Sequence, residues 1–189
     1  DFGYRIKLLA VIKRLAGGIQ VRVYPALVPI DSMLASVSGV FNAVMVRGDF
    51  VDDTVYYGRG AGREPTASAV VGDIADAVRN IVSGCPGRVP ALARCAKPPR
   101  IMPPEEMETR YYIRLSLQDE PGVFARIAAI LGKQGISIAS VLQKEIGGRH
   151  VPVVILTHKA RERSIIAALR KIKTLSAVGA EPVRLRIEE

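Results

Sequence analysis

Between Gly84 and Pro104 the chain is interrupted by Gly84, Pro86, Gly87, Pro90, Pro98, Pro99, Pro103 and Pro104. Proline fixes φ and has no N–H to donate, so neither a helix nor an interior strand runs through such a stretch. The segment reads as a semi-rigid connector that ends in Glu105-Glu106, and it splits the 189 residues into two units. The expected boundaries are 1–83, a linker over 84–109, and 110–189.

In the first unit, Phe2, Ile6, Leu9, Ile12 and Leu15 recur at three- and four-residue steps with Arg5, Lys13 and Arg14 between them, and Gly17-Gly18 follows. That spacing predicts an amphipathic helix over 2–15 with Lys7 and Lys13 on its solvated face. Strands are expected over 20–27, 40–46 and 54–57, with a short helix or turn at 31–36. The third strand runs into Gly58, Gly60 and Gly62, then Pro65, Thr66 and an apolar-periodic run to about Ser83. A glycine turn followed by a helix capped by Thr66 is expected. Such a helix start offers free N–H groups and a positive dipole end to an anion or cofactor, and it serves equally as a tight packing turn. Asn42 and Thr66 are candidates for polar support of the turn.

The second unit alternates over 111–117, turns at Asp119-Glu120-Pro121-Gly122, and continues as a helix from Val123 to Gln134 that Gly135 stops. Strands are expected at 136–140 and 150–158 around a Gly147-Gly148 hairpin. A helix over 159–173 and a strand over 178–187 complete a βαββαβ order, the ferredoxin-like pattern. The whole chain is expected to be α+β: a partial α/β segment followed by this ferredoxin-like unit. A four-stranded sheet with both helices on one face leaves an edge and a face to cover, and pairing into a dimer meets that need.

The net charge is +9 at neutral pH, and 111–189 carries 13 basic against 7 acidic side chains. With no basic block interleaved with aromatics, nucleic-acid binding is not expected. No apolar run has membrane-spanning length, so no membrane partner is expected. Cys85 and Cys95 lack zinc spacing, and His150 and His158 lack partner ligands, so no metal site is expected. Whether the two cysteines pair is open. A cytoplasmic chain with reduced thiols is the expectation. The sequence starts at Asp1 without an initiator Met, as a fragment or processed chain would.

Two resemblances follow from these motifs. Asp119-Glu120-Pro121-Gly122-Val123-Phe124 and Gly135-Ile136-Ser137-Ile138-Ala139-Ser140, in their βαββαβ setting, resemble an ACT domain, a small-molecule sensing module. Gly3-Tyr4-Arg5-Ile6-Lys7-Leu8-Leu9, Gly39-Val40-Phe41-Asn42-Ala43-Val44 and Gly58-Arg59-Gly60-Ala61-Gly62 with Pro65-Thr66-Ala67-Ser68-Ala69-Val70-Val71 resemble the C-terminal part of the catalytic and dimerisation region of homoserine dehydrogenases. The resemblance implies an NAD(P)-dependent enzyme interconverting L-aspartate 4-semialdehyde and L-homoserine, on the route to threonine, methionine and isoleucine. It also implies feedback control through the ACT domain with threonine as effector. The dinucleotide fingerprint, the catalytic Lys and the acidic substrate-binding pair of that family have no counterpart in this sequence. The chain is therefore expected to be a C-terminal fragment, without its own catalytic residues, without bound cofactor, and inactive alone.

The same resemblance implies that Gly58, Gly60 and Gly62 line the nicotinamide end of the cofactor pocket, with Gly62 in direct contact. It implies an effector site at an interface between two ACT domains. Asp119 would take the ligand's ammonium there, beside Pro121, Gly122, Val123 and Phe124, with Gly135, Ile136 and Ile138 opposite. The expected partners are the missing N-terminal half, threonine, and a second copy paired through ACT and dimerisation-region sheets. A stand-alone amino-acid-binding regulator without enzyme activity is the alternative.

Overall fold

The computed structural model describes residues 2–88, 98–143 and 148–188. The chain divides into two compact units, Asp1–Ile30 with Pro99–Glu189, and Asp31–Pro98. The break at the connector is therefore only half the division. The opening thirty residues belong with the C-terminal unit.

In the larger unit, β1 (Tyr4–Leu15) and β2 (Gly18–Pro29) form an antiparallel hairpin, not the helix expected over 2–15. The reason is visible in the burial pattern. Lys7, Leu9, Val11 and Lys13 are half-buried while Ile6, Leu8, Ala10 and Ile12 between them are exposed, a period of two. Apolar residues stand on both faces of the strand, so a subset of them also falls at helical steps. Of the Gly17-Gly18 pair that reads as a helix stop, Gly17 lies with Ala16 in the hairpin turn and Gly18 opens β2 opposite Leu15. Gly18 has φ +134, and a Cβ there would lie 2.3 Å from the Arg100 carbonyl oxygen. The backbone of 100–102 takes that space: Ile19 donates to Arg100 O at 2.8 Å and Met102 donates to Ile19 O at 2.9 Å.

After a 3-10 turn at Pro104–Glu106 come β5 (Glu108–Gln118), α3 (Val123–Lys133), β6 (Ile138–Gln143) and β7 (His150–Thr157). The two-residue β8 (Ala160–Arg161), α4 (Glu162–Lys173) and β9 (Val183–Ile187) complete the unit. The expected last strand is shorter than 178–187; Val178 instead makes an isolated antiparallel bridge to Leu117. Of the expected Gly147-Gly148 turn, Gly147 lies outside the described residues. The sheet order is β1-β2-β9-β5-β7-β6, so the hairpin extends the four-strand βαββαβ sheet from its β9 edge. That junction is a parallel ladder of two residue pairs, Ala26 with Arg186 and Leu27 with Ile187.

The core lies between this sheet and its two helices. Tyr111, Ile113 and Leu115 of β5 and Val153 and Ile155 of β7 meet Ile127 and Leu131 of α3 and Ile165 and Ile172 of α4. The strand residues are alternate and the helix residues are four to seven apart, as one buried face of each requires. The opposite sheet face holds a smaller cluster of Leu27, Leu156 and Ile187, flanked by Phe2, Tyr4, Tyr112 and Leu185.

The unit Asp31–Pro98 contains a one-turn helix α1 (Met33–Ser36), the hairpin of β3 (Phe41–Arg47) and β4 (Asp53–Arg59), and α2 (Arg63–Val82). Phe41 stacks on Tyr57 at 5.0 Å, and Arg47 holds Asp53 through two hydrogen bonds of 2.6 and 2.8 Å. Helix α2 buries none of its residues; Val70, Val71, Ile74, Val78 and Ile81 are all more than half exposed. Cys85 is a free, exposed thiol, whereas Cys95 lies outside the described residues.

Candidate functional site

The glycine turn joins β4 to α2. Gly58 pairs with Asn42 across the hairpin, and Gly62 is the residue before the helix, at φ +122 and ψ 155. The helix begins earlier than expected, so Thr66 sits within its first turn and donates its N–H to Gly62 O at 3.1 Å instead of capping it. The three glycines differ in what holds them as glycine. Gly62 needs its φ. A Cβ on Gly60 would meet Asn42 Nδ2 at 2.3 Å, so here the backbone is packed against a side chain. A Cβ on Gly58 would meet nothing within 4 Å among the described residues. At Gly58 neither the backbone conformation nor a neighbour demands glycine, and the bare backbone is open to approach by a flat group.

In the larger unit, Gly122 adopts a left-handed conformation (φ +83) and leads into α3. Val123 donates to Glu120 O at 3.2 Å, and Arg126 donates to Gly122 O at 3.2 Å. Asp119 is tied to the end of β6: Gln143 Nε2 donates to Asp119 Oδ1 at 3.0 Å. Gln143 was not singled out as a site residue from sequence, because the pairing joins positions in two different elements. Asp119, Pro121, Gly122 and Phe124 are exposed, whereas Val123 and Ile136 are buried in the core. Gly135 (φ +70) closes α3, and Ile136 donates back to Leu131 O at 3.0 Å, a helix-ending arrangement that turns the chain toward β6. Ile138 opens β6 opposite Thr157. The Asp119–Gln143 bond thus brings the turn before α3 to the end of β6, the last strand of the sheet among the described residues, with a carboxylate and a helix start beside it.

Two carboxylates elsewhere in this unit are buried and were not picked out from sequence. Glu162, the first residue of α4, accepts from Tyr111 Oη at 2.6 Å, from Arg186 Nε at 3.0 Å and from Arg184. Burial works against its charge, but the Tyr111 hydroxyl and the two guanidiniums outweigh that and hold its carboxyl below the ordinary glutamate range. Burial and the Glu162 carboxylate push the Tyr111 hydroxyl well above its usual value. Glu188 accepts from the Tyr24 hydroxyl, from Arg22 at 2.5 Å and from Lys13 at 2.7 Å. Lys13, expected on a solvated helix face, is instead a strand residue paired to this carboxylate. Among the described residues, no group of three or more His, Cys, Asp or Glu side chains is placed to hold a metal ion. No helix among them is long and apolar enough to cross a membrane.

Residues 1–75 match the family model described as homoserine dehydrogenase, and residues 111–175 match that of the ACT domain. The first 75 residues belong to the homoserine dehydrogenase family, and an ACT domain follows them. Across the whole length the chain is 45% identical to the homoserine dehydrogenase of Pseudomonas aeruginosa and 42% identical to that of Neisseria gonorrhoeae, covering 99% and 100% of this chain. It spans 44% of the length of each of these relatives. Its structure is similar to the crystal structure of a homoserine dehydrogenase from Thiobacillus denitrificans, with a TM-score of 0.87 at 43% identity over 99% of this chain and 43% of that one. The ACT match thus runs from β5 through α4 of the larger unit, and the homoserine dehydrogenase match runs from the β1–β2 hairpin through the glycine turn into α2.

Proposed function

We propose that this chain is the part of a homoserine dehydrogenase that joins the end of the catalytic region to an amino-acid-sensing ACT domain. The whole enzyme, in this reading, is a cytoplasmic oxidoreductase. It interconverts L-aspartate 4-semialdehyde and L-homoserine with NAD(P)H, on the route to threonine, methionine and isoleucine. The carrying observation is the succession of the two family matches along one chain whose fold overlays a homoserine dehydrogenase over 99% of its length. The uncovered apolar residues of α2 support a segment that completes its packing against the rest of a longer enzyme. They disfavour a stand-alone regulator.

Within this reading Gly58, Gly60 and Gly62 form one wall of the nicotinamide pocket: Gly62, the expected direct contact, lies at the helix start, and Gly58 adds open backbone that the cofactor's flat ring can approach. The residues that hold the rest of the dinucleotide and transfer the hydride belong to the remaining length of the enzyme. The effector is threonine. Its ammonium meets Asp119 and its carboxylate meets the N–H groups around Gly122, with Pro121, Val123 and Phe124 shaping the turn and Gly135, Ile136 and Ile138 shaping the opposite wall. A second copy completes the site by pairing along β6. Titration calorimetry of the chain with threonine, with serine and methionine as controls, tests the effector. Heat from threonine alone is expected, and heat from none of the three would remove the assignment. Light scattering tests the pairing: a dimer is expected, and a monomer at high concentration would refute it.

A further inference from the structure

The β1–β2 hairpin is held to the ACT sheet by little backbone: two residue pairs of β2 and β9, extended by Glu188 N donating to Leu27 O at 3.0 Å. Side chains carry much of the rest of the junction, and the polar ones are not independent. Arg186, on β9, gives Nε to Glu162 at 3.0 Å and lays its guanidinium over the Tyr24 ring, 4.7 Å from the centroid. The hydroxyl of that same Tyr24 donates to Glu188. A second cation, Arg22, lies 5.1 Å from the Tyr24 centroid and also bonds Glu188.

We propose that Arg186 and Tyr24 tie the two buried carboxylates into one coupled unit, so that the first turn of α4 and the β1–β2 hairpin hold or loosen together. The physical basis is the position of Tyr24. A phenol donating to a carboxylate gains electron density on its ring, and a richer ring face attracts a cation more strongly. Ionised Glu188 therefore strengthens the seat of Arg186, and a well-seated Arg186 in turn fixes Glu162 at the start of α4. Charge balance points the same way. Two carboxylates stand among four cations, Lys13, Arg22, Arg184 and Arg186. Removing either carboxylate leaves the other facing an excess of positive charge in a poorly solvated place. The coupling has a direction that matters for the enzyme: α4 is an ACT helix, and β2 leads, past Pro29, into the segment that carries the glycine turn. The tie does not depend on which amino acid the ACT turn binds.

Hydrogen–deuterium exchange on the intact chain tests this, read separately over residues 18–29 and residues 162–166. Glu188→Gln keeps the shape and removes the charge; exchange is expected to rise at least about tenfold in both segments. In an Arg186→Gln background the same substitution is expected to change residues 18–29 alone, with less than about a twofold effect at 162–166. A Glu188→Gln effect confined to the hairpin, or an equal effect at α4 with and without Arg186, would overturn the proposal. Tyr24→Phe keeps the ring under Arg186 and removes only the hydroxyl, and it serves if the charge variants do not fold. It is expected to raise exchange about threefold at residues 162–166, and no change there refutes the tie.

Discussion

Tyr111 donates its hydroxyl to Glu162 at 2.6 Å, and both side chains are shut away from solvent at the point where α4 begins. A carboxylate is kept ionised inside a protein only when its lone pairs are filled, and here one phenol and two guanidiniums fill them. Tyr111→Phe removes one of these bonds without opening a cavity. The expected loss is about 2 kcal/mol, measured by urea unfolding.

The same group sets an acid limb of stability. The folded chain holds the Glu162 carboxyl below its ordinary value, so on acidification the unfolded chain takes up that proton first. The stabilisation is complete above the unfolded value and is lost as the pH falls through the lower, folded one. Between about pH 3 and 6, Glu162→Gln is expected to start from a lower melting temperature and to lose less of it on acidification than the parent. Parallel curves for the two proteins would show that Glu162 is not the titrating group.

Gly18→Ala places a Cβ where the Arg100 carbonyl oxygen already sits, at a φ that side chains rarely adopt. The backbone cannot swing aside without breaking the Ile19 and Met102 hydrogen bonds. A loss of about 2 kcal/mol is expected, measured by thermal melting. The substitution Gly3→Ala is a useful comparison: it shares a positive φ of 71 but has open space around it, and should cost about 1 kcal/mol.

Gly58 and Gly60 separate packing from ligand approach. Gly60→Ala meets Asn42 and should lower the melting temperature, with partial recovery in the Asn42→Ala double variant. Gly58→Ala meets nothing among the described residues and should leave melting unchanged. In the whole enzyme it should raise the KM for the nicotinamide cofactor about tenfold, worth about 1.4 kcal/mol of binding. An unchanged KM would take Gly58 out of the pocket.

Asp119→Asn keeps a partner for Gln143 and removes the negative charge. Threonine binding measured by calorimetry should weaken at least about tenfold while melting is unaffected, since the Asp119–Gln143 bond is exposed and small in stability terms. Gln143→Ala, which frees Asp119 to move, should weaken binding less.

Much of the ACT portion is legible in the sequence. Tyr111, Ile113 and Leu115 alternate, Ile127 and Leu131 lie one helical turn apart, and Pro121-Gly122 and Gly135 mark the turns. All of these are local signals, and each element they define buries the face they indicate. The glycine turn is legible for the same reason, as a strand end and helix start with bare backbone between. The first strand of the hairpin at the start of the chain reads as a helix because Ile6, Leu9 and Ile12 satisfy helical spacing while Leu8, Ala10 and Val11 fill the other positions with equally apolar residues. When both faces are apolar, periodicity does not choose between helix and strand. The choice was made by what β2 finds beside it.

By itself, then, the sequence determined the βαββαβ unit and the two glycine-bearing turns, since these rest on residues near one another along the chain. Only the tertiary structure decided that residues 4–15 are a strand, that the β1–β2 hairpin joins the ACT sheet at β9, and that Glu162 and Glu188 are buried ions. Lys13 meets Glu188 across a sequence separation of 175 residues, and Tyr24 meets it across 164. A carboxylate's partners at such distances leave no local pattern, because burial of a charge is set by the groups that folding brings to it.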